Sequence, residues 1–275
     1  MEVKAKKALG QHFLTDQKIA KAIVAALDKD TCKSKENRLP VLEVGPGMGV
    51  LSQYMLADPA IDLKMIEIDT ESVDYLKRTF GLTSTRIGDN NPKDRIIEGD
   101  FLKTDLATLF GSPFRIIGNF PYNISSQIFF RILDYRDLVP MTVCMIQKEV
   151  AERIAEKPGS KTYGILSVLL QAWYDIEYLF TVGPGAFAPP PKVHSAVIRL
   201  TRNSRTSLGC DEPLFKTIVK TSFGQRRKTL RNSLKPLIAK KEASGDLIPT
   251  DLEILGERPE RLSVEDFIVL TNMLA

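Results

Sequence analysis

The sequence predicts an α/β protein in which a mostly parallel sheet, covered by helices on both faces, carries antiparallel strands at one edge. Short, continuous apolar runs alternate with helical segments along most of the chain, which is typical of parallel strands buried on both faces. Beyond residue 203 the pattern contains helices only. We therefore expect a first domain over residues 1–203 and a small all-helical domain over residues 204–275.

The predicted elements follow in chain order. Residues 16–28 have Ile19, Ile23, Ala26 and Leu27 near helical spacing, which indicates an amphipathic helix. Apolar runs then predict five strands, in the segments LPVLEV, DLKMIEID, RIIEGDFL, FRIIGNF and MTVCMIQ, with helices between most of them, TESVDYLKRTF among them.

The last part of the first domain changes its pattern. The segments YDIEYLFTV and HSAVIRLT follow with little helix between them, so we expect an antiparallel pair at the sheet edge. The C-terminal domain is predicted to contain three helices, at about residues 212–222, 226–240 and 263–273.

Composition excludes several classes of protein. No apolar stretch reaches the roughly 18 residues of a membrane span, and the N-terminus lacks the apolar core of a signal peptide. The cysteines Cys32, Cys144 and Cys210 have no metal or redox spacing, which favours free thiols in the reducing cytoplasm. Only His12 and His194 are present, which argues against a His-based zinc site or a Ser-His-Asp triad.

Charge is unevenly distributed. Residues 199–241 contain twelve basic and two acidic side chains, a net charge of +10, whereas the whole chain carries +4 and the remainder therefore −6. Such asymmetry favours a polyanion partner, and nucleic acid in particular, over a merely solvated helical face.

The turn after the first strand predicts a ligand site. EVGPGMG places Gly45, Gly47 and Gly49 where a strand must turn sharply and a ligand must approach bare backbone. The dinucleotide pattern G-x-G-x-x-G would have glycine or alanine at position 50, where Val50 stands. The turn therefore suits a Rossmann-like sheet whose ligand has an amino-acid tail, although a tight turn without any ligand remains the alternative.

Two acidic residues strengthen the prediction of a ligand. Glu67 ends the second strand, where a carboxylate can accept from both ribose hydroxyls, and Asp100 ends the third, where it can accept from an adenine amine. Asp69 also competes for the ribose but is better placed as a helix N-cap. These groups share the carboxyl edge of the sheet, where such folds bind ligands.

The ordered motifs resemble a known family. They are GQHFL, EVGPGMG, IEID, EGDFL, GNFPYNISS and FAPPPKVHSAV. Together they are similar to the ribosomal RNA adenine N6-dimethyltransferases, and most closely to their bacterial small-subunit group, over about residues 8–202 and more loosely over the basic tail. The resemblance implies a methyltransferase fold, S-adenosylmethionine as methyl donor, and two adjacent adenines near the 3′ end of 16S rRNA in the small ribosomal subunit as substrate.

The segment GNFPYN then acquires a chemical role. The amide oxygen of Asn119 and the backbone carbonyl of Phe120 or Pro121 can accept from an adenine N6 amine and aim its lone pair at the methyl group. Asn119 is also expected to contact the cofactor. Tyr122 offers a ring on which an extruded base can stack, and Phe187 is expected as a second wall of this pocket. The alternative for NFPY is a proline turn that merely ends a strand.

Two further segments complete the expected site. In the family the GQHFL segment covers the cofactor, so Gln11, His12 and Leu14 are expected contacts of S-adenosylmethionine; the alternative for His12 is packing against the first helix. On the predicted helix over 226–240, Arg227 and Arg231 share one face, with Lys228 beside them. These three residues and Arg226 are the expected contacts with rRNA phosphates.

Two other functions stay open from the sequence. One is a large-subunit rRNA dimethylase of the macrolide-resistance type, which shares the core motifs but usually has a smaller tail. The other is a nucleic-acid binder with the same fold and no essential catalysis. We expect a cytoplasmic, monomeric enzyme without a membrane anchor.

Overall fold

The computed structural model describes residues 3–27, 38–87, 89, 94–243 and 252–275. Within them lie ten strands and eleven α-helices. The strands are β1 (Phe13–Leu14), β2 (Leu39–Val44), β3 (Ile61–Glu67), β4 (Ser84–Arg86), β5 (Ile96–Glu98), β6 (Arg115–Asn119), β7 (Met141–Gln147), β8 (Tyr174–Val182), β9 (Phe187–Ala188) and β10 (Ser195–Arg202). The helices are α1 (Gln17–Ala25), α2 (Ser52–Leu56), α3 (Thr70–Phe80), α4 (Ser125–Asp134), α5 (Lys148–Ala155), α6 (Ile165–Gln171), α7 (Glu212–Gly224), α8 (Leu230–Ser233), α9 (Lys235–Ala243), α10 (Glu253–Gly256) and α11 (Val264–Leu274).

Eight of the described strands form one mixed sheet, in the order β4-β5-β3-β2-β6-β7-β10-β8. The pairs from β4 to β7 are parallel, and β10 runs antiparallel to β7. The mostly parallel sheet with helices is therefore confirmed. The last two strands are neighbours at one edge as expected, but β10 lies between β7 and β8, so only β8 is the edge strand.

Two features of the sheets were not predicted. The strand β4 adds a short parallel edge beside β5. The strands β1 and β9 form a separate antiparallel ladder, in which Phe13 pairs with Ala188 and Leu14 pairs with Phe187. Each strand of this ladder has two residues, too few for a period-2 pattern to be detected in a sequence.

Local sequence accounts for several helix boundaries. Asp69 caps α3, because its side chain accepts from the backbone nitrogen of Ser72, and this N-cap prediction is confirmed. The predicted helix over 226–240 is wrong: residues 225–228 form a turn, followed by the short α8 and then by α9. Pro236 explains the restart at α9, since a proline fits the first turn of a helix but breaks its interior.

The chain divides into two compact units. One contains Met1–Ala151 and Ile176–Arg202, and the other contains Glu152–Asp175 and Asn203–Ala275. The expected first domain had included the whole of Glu152–Asp175, which the structure instead groups with the C-terminal helices. The physical reason is that α6 packs against α7 and α11.

The core of the first unit surrounds the central strands. Val41, Leu63 and Val143, on β2, β3 and β7, have no exposed surface, and Ile23 of α1 is equally buried. Burial on both faces explains why these strands are continuous apolar runs. Among the described helices, none combines the length and the apolar character that crossing a membrane requires.

Candidate active site

A cavity of about 230 Å³ opens at the carboxyl ends of the parallel strands in the first unit. Its lining comes from the N-terminal segment and from the ends of β2, β3, β5 and β6, as the sequence predicted for a ligand site. The lining residues are 8–14, 43–48, 50–51, 66–68, 99–102 and 119–124.

The glycine turn after β2 uses each of its glycines differently. All three have positive φ, at 68° for Gly45, 56° for Gly47 and 74° for Gly49. A Cβ on Gly47 would come within 2.8 Å of the Phe13 ring, and one on Gly49 within 2.5 Å of the Phe80 ring, so packing demands glycine at both. Gly45 lines the cavity, and a Cβ there would meet no atom within 4 Å. Its backbone is therefore accessible to a ligand.

Glu67 lines the cavity at the end of β3. Its side chain is 5% exposed and accepts backbone N–H bonds from Gly47 at 3.1 Å and from Ile68 and Asp69 at 2.9 Å each. Burial raises the pKa of Glu67, and the three N–H donors oppose that effect. The donors fix the carboxylate in one orientation beside the turn.

The other two predicted acids have different positions. Asp100 lines the cavity, and its Oδ1 accepts from the backbone nitrogen of Leu102 at 2.9 Å. Asp69 is not among the residues that line the cavity; it caps α3 and pairs with Lys6 of the N-terminal segment. Glu67 is thus the carboxylate at the end of β3 that a ligand in this cavity can contact.

A further acid in the lining escaped the sequence analysis. Glu43 is 1% exposed on β2, and its Oε2 accepts from the Ser52 hydroxyl at 2.6 Å. Burial raises the pKa of Glu43 to about 8, and the negative charge of Glu67 adds to the shift. The available signal was a charged residue inside the apolar run LPVLEV, directly before the glycine turn.

Asn119 is the last residue of β6 and lines the cavity. Its Nδ2 donates to the backbone carbonyl of His12 at 2.8 Å. An amide whose nitrogen is engaged in this way presents its oxygen as an acceptor. Asn119 and Pro121 are both half-buried and line the cavity.

Tyr122 is held at two points. Its hydroxyl forms a 2.5 Å hydrogen bond with Ser195 Oγ, and its ring stacks on the His12 imidazole with centroids 5.5 Å apart and an interplanar angle of 29°. Burial raises the pKa of Tyr122, which favours the neutral phenol. The ring lines the same cavity as Asn119.

The two phenylalanines expected in the substrate pocket are buried. Phe120 is 1% exposed and packs edge-on against Phe129 at 6.0 Å, so its ring belongs to the core even though the residue borders the cavity. Phe187 is 4% exposed within the main hydrophobic cluster and pairs with Leu14. The structure does not place Phe187 among the residues that line the cavity.

The N-terminal segment covers the cavity, and Gln11, His12 and Leu14 all line it. Gln11 Oε1 accepts from the backbone nitrogen of Lys6 at 2.8 Å, and Leu14 is 3% exposed. His12 Nδ1 donates to the carbonyl of Pro189 at 2.9 Å. The His12 side chain thus contacts Tyr122 and Pro189.

The basic residues of interest lie in the second unit. Arg227, Lys228 and Arg231 are exposed, whereas Arg226 is half-buried. Arg226 donates to the Ser160 carbonyl at 3.4 Å and lies 3.9 Å from a Glu260 oxygen. Because residues 226–228 form a turn, the expectation that Arg227 and Arg231 share one helix face is wrong.

The described cysteines do not line the cavity. Cys144 is a buried free thiol and Cys210 a half-buried one, while Cys32 falls outside the described residues. Across the part of the chain that the structure describes, no cluster of His, Cys, Asp or Glu side chains could hold a metal ion.

Comparison with known proteins gives a consistent result. The family model described as "Ribosomal RNA adenine dimethylase" matches residues 2–271. The chain is 60% identical over 269 residues to the "Ribosomal RNA small subunit methyltransferase A" of Parabacteroides distasonis, covering 98% of this chain and 93% of that protein. It is 55% identical to the protein of the same name from Bacteroides thetaiotaomicron, covering 99% and 94%.

Solved structures agree at the level of the fold. A dimethyladenosine transferase from Plasmodium falciparum superposes with a TM-score of 0.71 at 24% identity, covering 94% of this chain and 96% of that one. The 23S rRNA methyltransferase ErmE superposes with a TM-score of 0.63 at 24% identity, covering 94% and 99%. The sequence match over nearly the whole chain, joined to this fold and cavity, shows that the chain belongs to the ribosomal RNA adenine dimethylase family.

Proposed function

We propose that this enzyme transfers methyl groups from S-adenosylmethionine to N6 of two adjacent adenosines near the 3′ end of 16S rRNA in the small ribosomal subunit. The product is N6,N6-dimethyladenosine. The names and the 55–60% identity of relatives matched over nearly their whole length support this substrate. The observation that carries the chemistry is a single cavity lined by Gly45, Glu67 and Asp100 together with Asn119 and Tyr122.

The residues present fit S-adenosylmethionine. Gly45 offers backbone with no Cβ in the way, and the buried Glu67 carboxylate is oriented to accept from ribose hydroxyls. Asp100 can accept from the adenine amine of the cofactor, and Gln11 and Leu14 belong to the segment that covers it. When bound, the cofactor supplies an electrophilic methyl group on a sulfonium.

Asn119 prepares the nucleophile. The N6 lone pair of adenine is delocalised into the ring, so the amine attacks poorly without help. With Nδ2 engaged by His12, the Asn119 oxygen accepts a hydrogen bond from the amine, and the backbone carbonyl of Phe120 or Pro121 can accept the second. Both bonds draw the lone pair out of conjugation and aim it. Positioning and preset dipoles, rather than a strong base, supply the acceleration.

Tyr122 receives the acceptor base. An enzyme that modifies a base must take it out of its stack or find it unpaired. Stacking on an aromatic side chain stabilises such a base by about 1–3 kcal/mol. The neutral, half-buried ring of Tyr122 lines the cavity next to Asn119 and offers such a surface.

The exposed cations of the second unit contact the rRNA backbone in this proposal. Arg227, Lys228 and Arg231 can reach phosphates, since all three are exposed and none is in a described ion pair. Arg226 instead serves chiefly to hold the turn, through Ser160 and Glu260. The enzyme acts as a monomer in the cytoplasm, where the small subunit is assembled.

The test is a methylation assay with labelled S-adenosylmethionine on immature small subunits and, in parallel, on naked large-subunit rRNA. We expect labelled dimethyladenosine in the small-subunit RNA alone. Label only in the large-subunit RNA would establish a macrolide-resistance type of activity instead. Retained RNA binding without any label would establish a binding protein without catalysis.

A further inference from the structure

Tyr122 is constrained by residues far away in the sequence. Its hydroxyl bonds to Ser195 Oγ at 2.5 Å, and Ser195 has no exposed surface. Ser195 is the first residue of β10 and pairs with Gln147 of β7, so its position is set by the central part of the sheet. A phenol bonded to a group this firmly anchored loses the freedom to swing about its Cα–Cβ bond.

His12 constrains the same ring from one face. The imidazole stacks on Tyr122 at a centroid distance of 5.5 Å, and its Nδ1 donates to the Pro189 carbonyl. Pro189 directly follows β9, which pairs with β1, and β1 begins directly after His12. The ladder between β1 and β9 therefore holds the imidazole in place.

His12 also reaches the other side chain of the acceptor site. Its backbone carbonyl accepts from Asn119 Nδ2 at 2.8 Å. One residue therefore contacts both the amide that accepts from N6 and the ring that receives the base. A change in the position of His12 moves the two relative to each other.

We propose that His12 and Ser195 are positioning residues for the acceptor adenine, and this inference rests on the function proposed above. They hold Tyr122 as a platform with one free face and align it with the Asn119 amide. The base stacks on the face of Tyr122 opposite His12. Since misplacing reacting groups by about 1 Å can cost roughly 100-fold in rate, loosening the platform lowers turnover.

The shared hydrogen bond is tested by a double-mutant cycle. We expect Ser195→Ala and Tyr122→Phe each to lower kcat on immature small subunits by about tenfold, from the loss of one hydrogen bond and of the alignment it gives. The double variant should lie within about twofold of either single variant, because both changes remove the same bond. Affinity for S-adenosylhomocysteine, measured by calorimetry, should be unchanged in all three.

The matched control is Ser222→Ala, which removes a buried hydroxyl from α7, a helix with no residue in the cavity lining. It should leave kcat unchanged. Wild-type kcat in both single variants, effects that multiply in the double variant, or a parallel loss of cofactor-product affinity would each overturn the role of Ser195. A wild-type enzyme without dimethyladenosine product would contradict the proposed function instead, which keeps the two failures distinguishable.

The role of His12 is tested separately with two replacements. His12→Asn removes the ring and should raise KM for small subunits and lower kcat, each by roughly threefold or more, with unchanged affinity for S-adenosylhomocysteine. His12→Phe restores a ring and should recover most of the loss. Loss of S-adenosylhomocysteine affinity with an unchanged KM for small subunits would overturn this role and make His12 a cofactor contact.

Discussion

The two halves of the cavity are built in different ways. The half proposed to bind the cofactor, called the cofactor half, contains Gly45, Gly47, Glu67 and Asp100 at the ends of neighbouring parallel strands. Its Gly47–Glu67 hydrogen bond joins residues 20 positions apart in the sequence. The half proposed to receive the adenine, called the acceptor half, contains residues 119–122 and is held by contacts with residues much farther away in the sequence. The bond between Asn119 and His12 spans 107 positions.

This difference indicates which parts of the enzyme can change independently. Strand ends in a parallel sheet meet at one edge, so the positions of Gly45, Glu67 and Asp100 follow from the sheet, and the N-terminal segment adds only a cover over them. The acceptor half exists only when the N-terminal segment and the start of β10 are both in place. Variants that separate cofactor affinity from turnover therefore test the distinction.

The largest expected effect comes from Asn119→Ala. Removing the acceptor for N6 should lower kcat by about 100- to 1,000-fold, as for loss of one preset dipole in other active sites. Affinity for S-adenosylhomocysteine should stay within a few-fold, because the cofactor half keeps its own contacts. Single-turnover kinetics and calorimetry give the two numbers, with Asn272→Ala on the exposed face of α11 as control. Surviving turnover would remove the amide from the mechanism.

The second effect is a pH dependence of stability caused by Glu43, which lines the cavity beside the cofactor half. The pKa of Glu43 is raised to about 8 by burial, so its stabilising contribution is complete below the ordinary value of 4.5 and is lost as pH rises through 8. The free energy of unfolding of Glu43→Gln, minus that of the wild type, should therefore rise when the pH is raised from 5.5 to 8.5. The expected rise is on the order of 3 kcal/mol, at about 1.4 kcal/mol per pKa unit.

Urea unfolding at the two pH values measures this gain. The control is Glu177→Gln, since the hydrogen bonds from Arg199 lower the pKa of Glu177 and its contribution stays constant above the ordinary range. A Glu43→Gln difference that is the same at both pH values would mean that Glu43 is ionised throughout.

These predictions also show how far the sequence determined the site. Gly45, Gly47, Glu67 and Asp100 could be located because strand-end positions follow from apolar runs. Asn119, Tyr122 and His12 were named through a family resemblance, yet the hydrogen bonds of Asn119 to His12 and of Tyr122 to Ser195 were not predicted, because no local pattern encodes a contact over such sequence distances. The burial of Phe187 follows from the β1–β9 ladder, whose strands are too short to predict.

The third effect compares two glycines with similar geometry. Gly45 and Gly111 have φ of 68° and 66°, and a Cβ on either would meet no atom within 4 Å. Alanine at each position should cost a similar backbone strain of roughly 1–2 kcal/mol. Only Gly45 lines the cavity, so only Gly45→Ala should weaken S-adenosylhomocysteine binding, by about tenfold or more. Equal affinities in the two variants would show that the ligand does not approach this turn.

The smallest effect concerns the N-terminal segment that covers the cavity. Lys6 pairs with Asp69 and, at 3.2 Å, with Glu71. Asp69 is buried, but the side chains of Lys6 and Glu71 are 37% and 56% exposed, so solvent and salt can screen the Lys6 ammonium. Lys6→Met should therefore speed S-adenosylhomocysteine dissociation by only about twofold, and the effect should largely vanish at about 1 M salt. Stopped-flow measurements should show no such change for Lys7→Met, the exposed neighbour. A twofold effect that persists at high salt would have another cause than the ion pairs.

A crystal structure of the enzyme with S-adenosylhomocysteine tests the central claim most directly. We expect the ribose hydroxyls within hydrogen-bond distance of Glu67, the backbone of Gly45 against the ligand, and the Asn119 amide still bonded to the His12 carbonyl with its oxygen turned to the free part of the cavity. A ligand seated elsewhere, or one that displaces the Asn119 amide from His12, would contradict the division of this cavity into a cofactor half and an acceptor half.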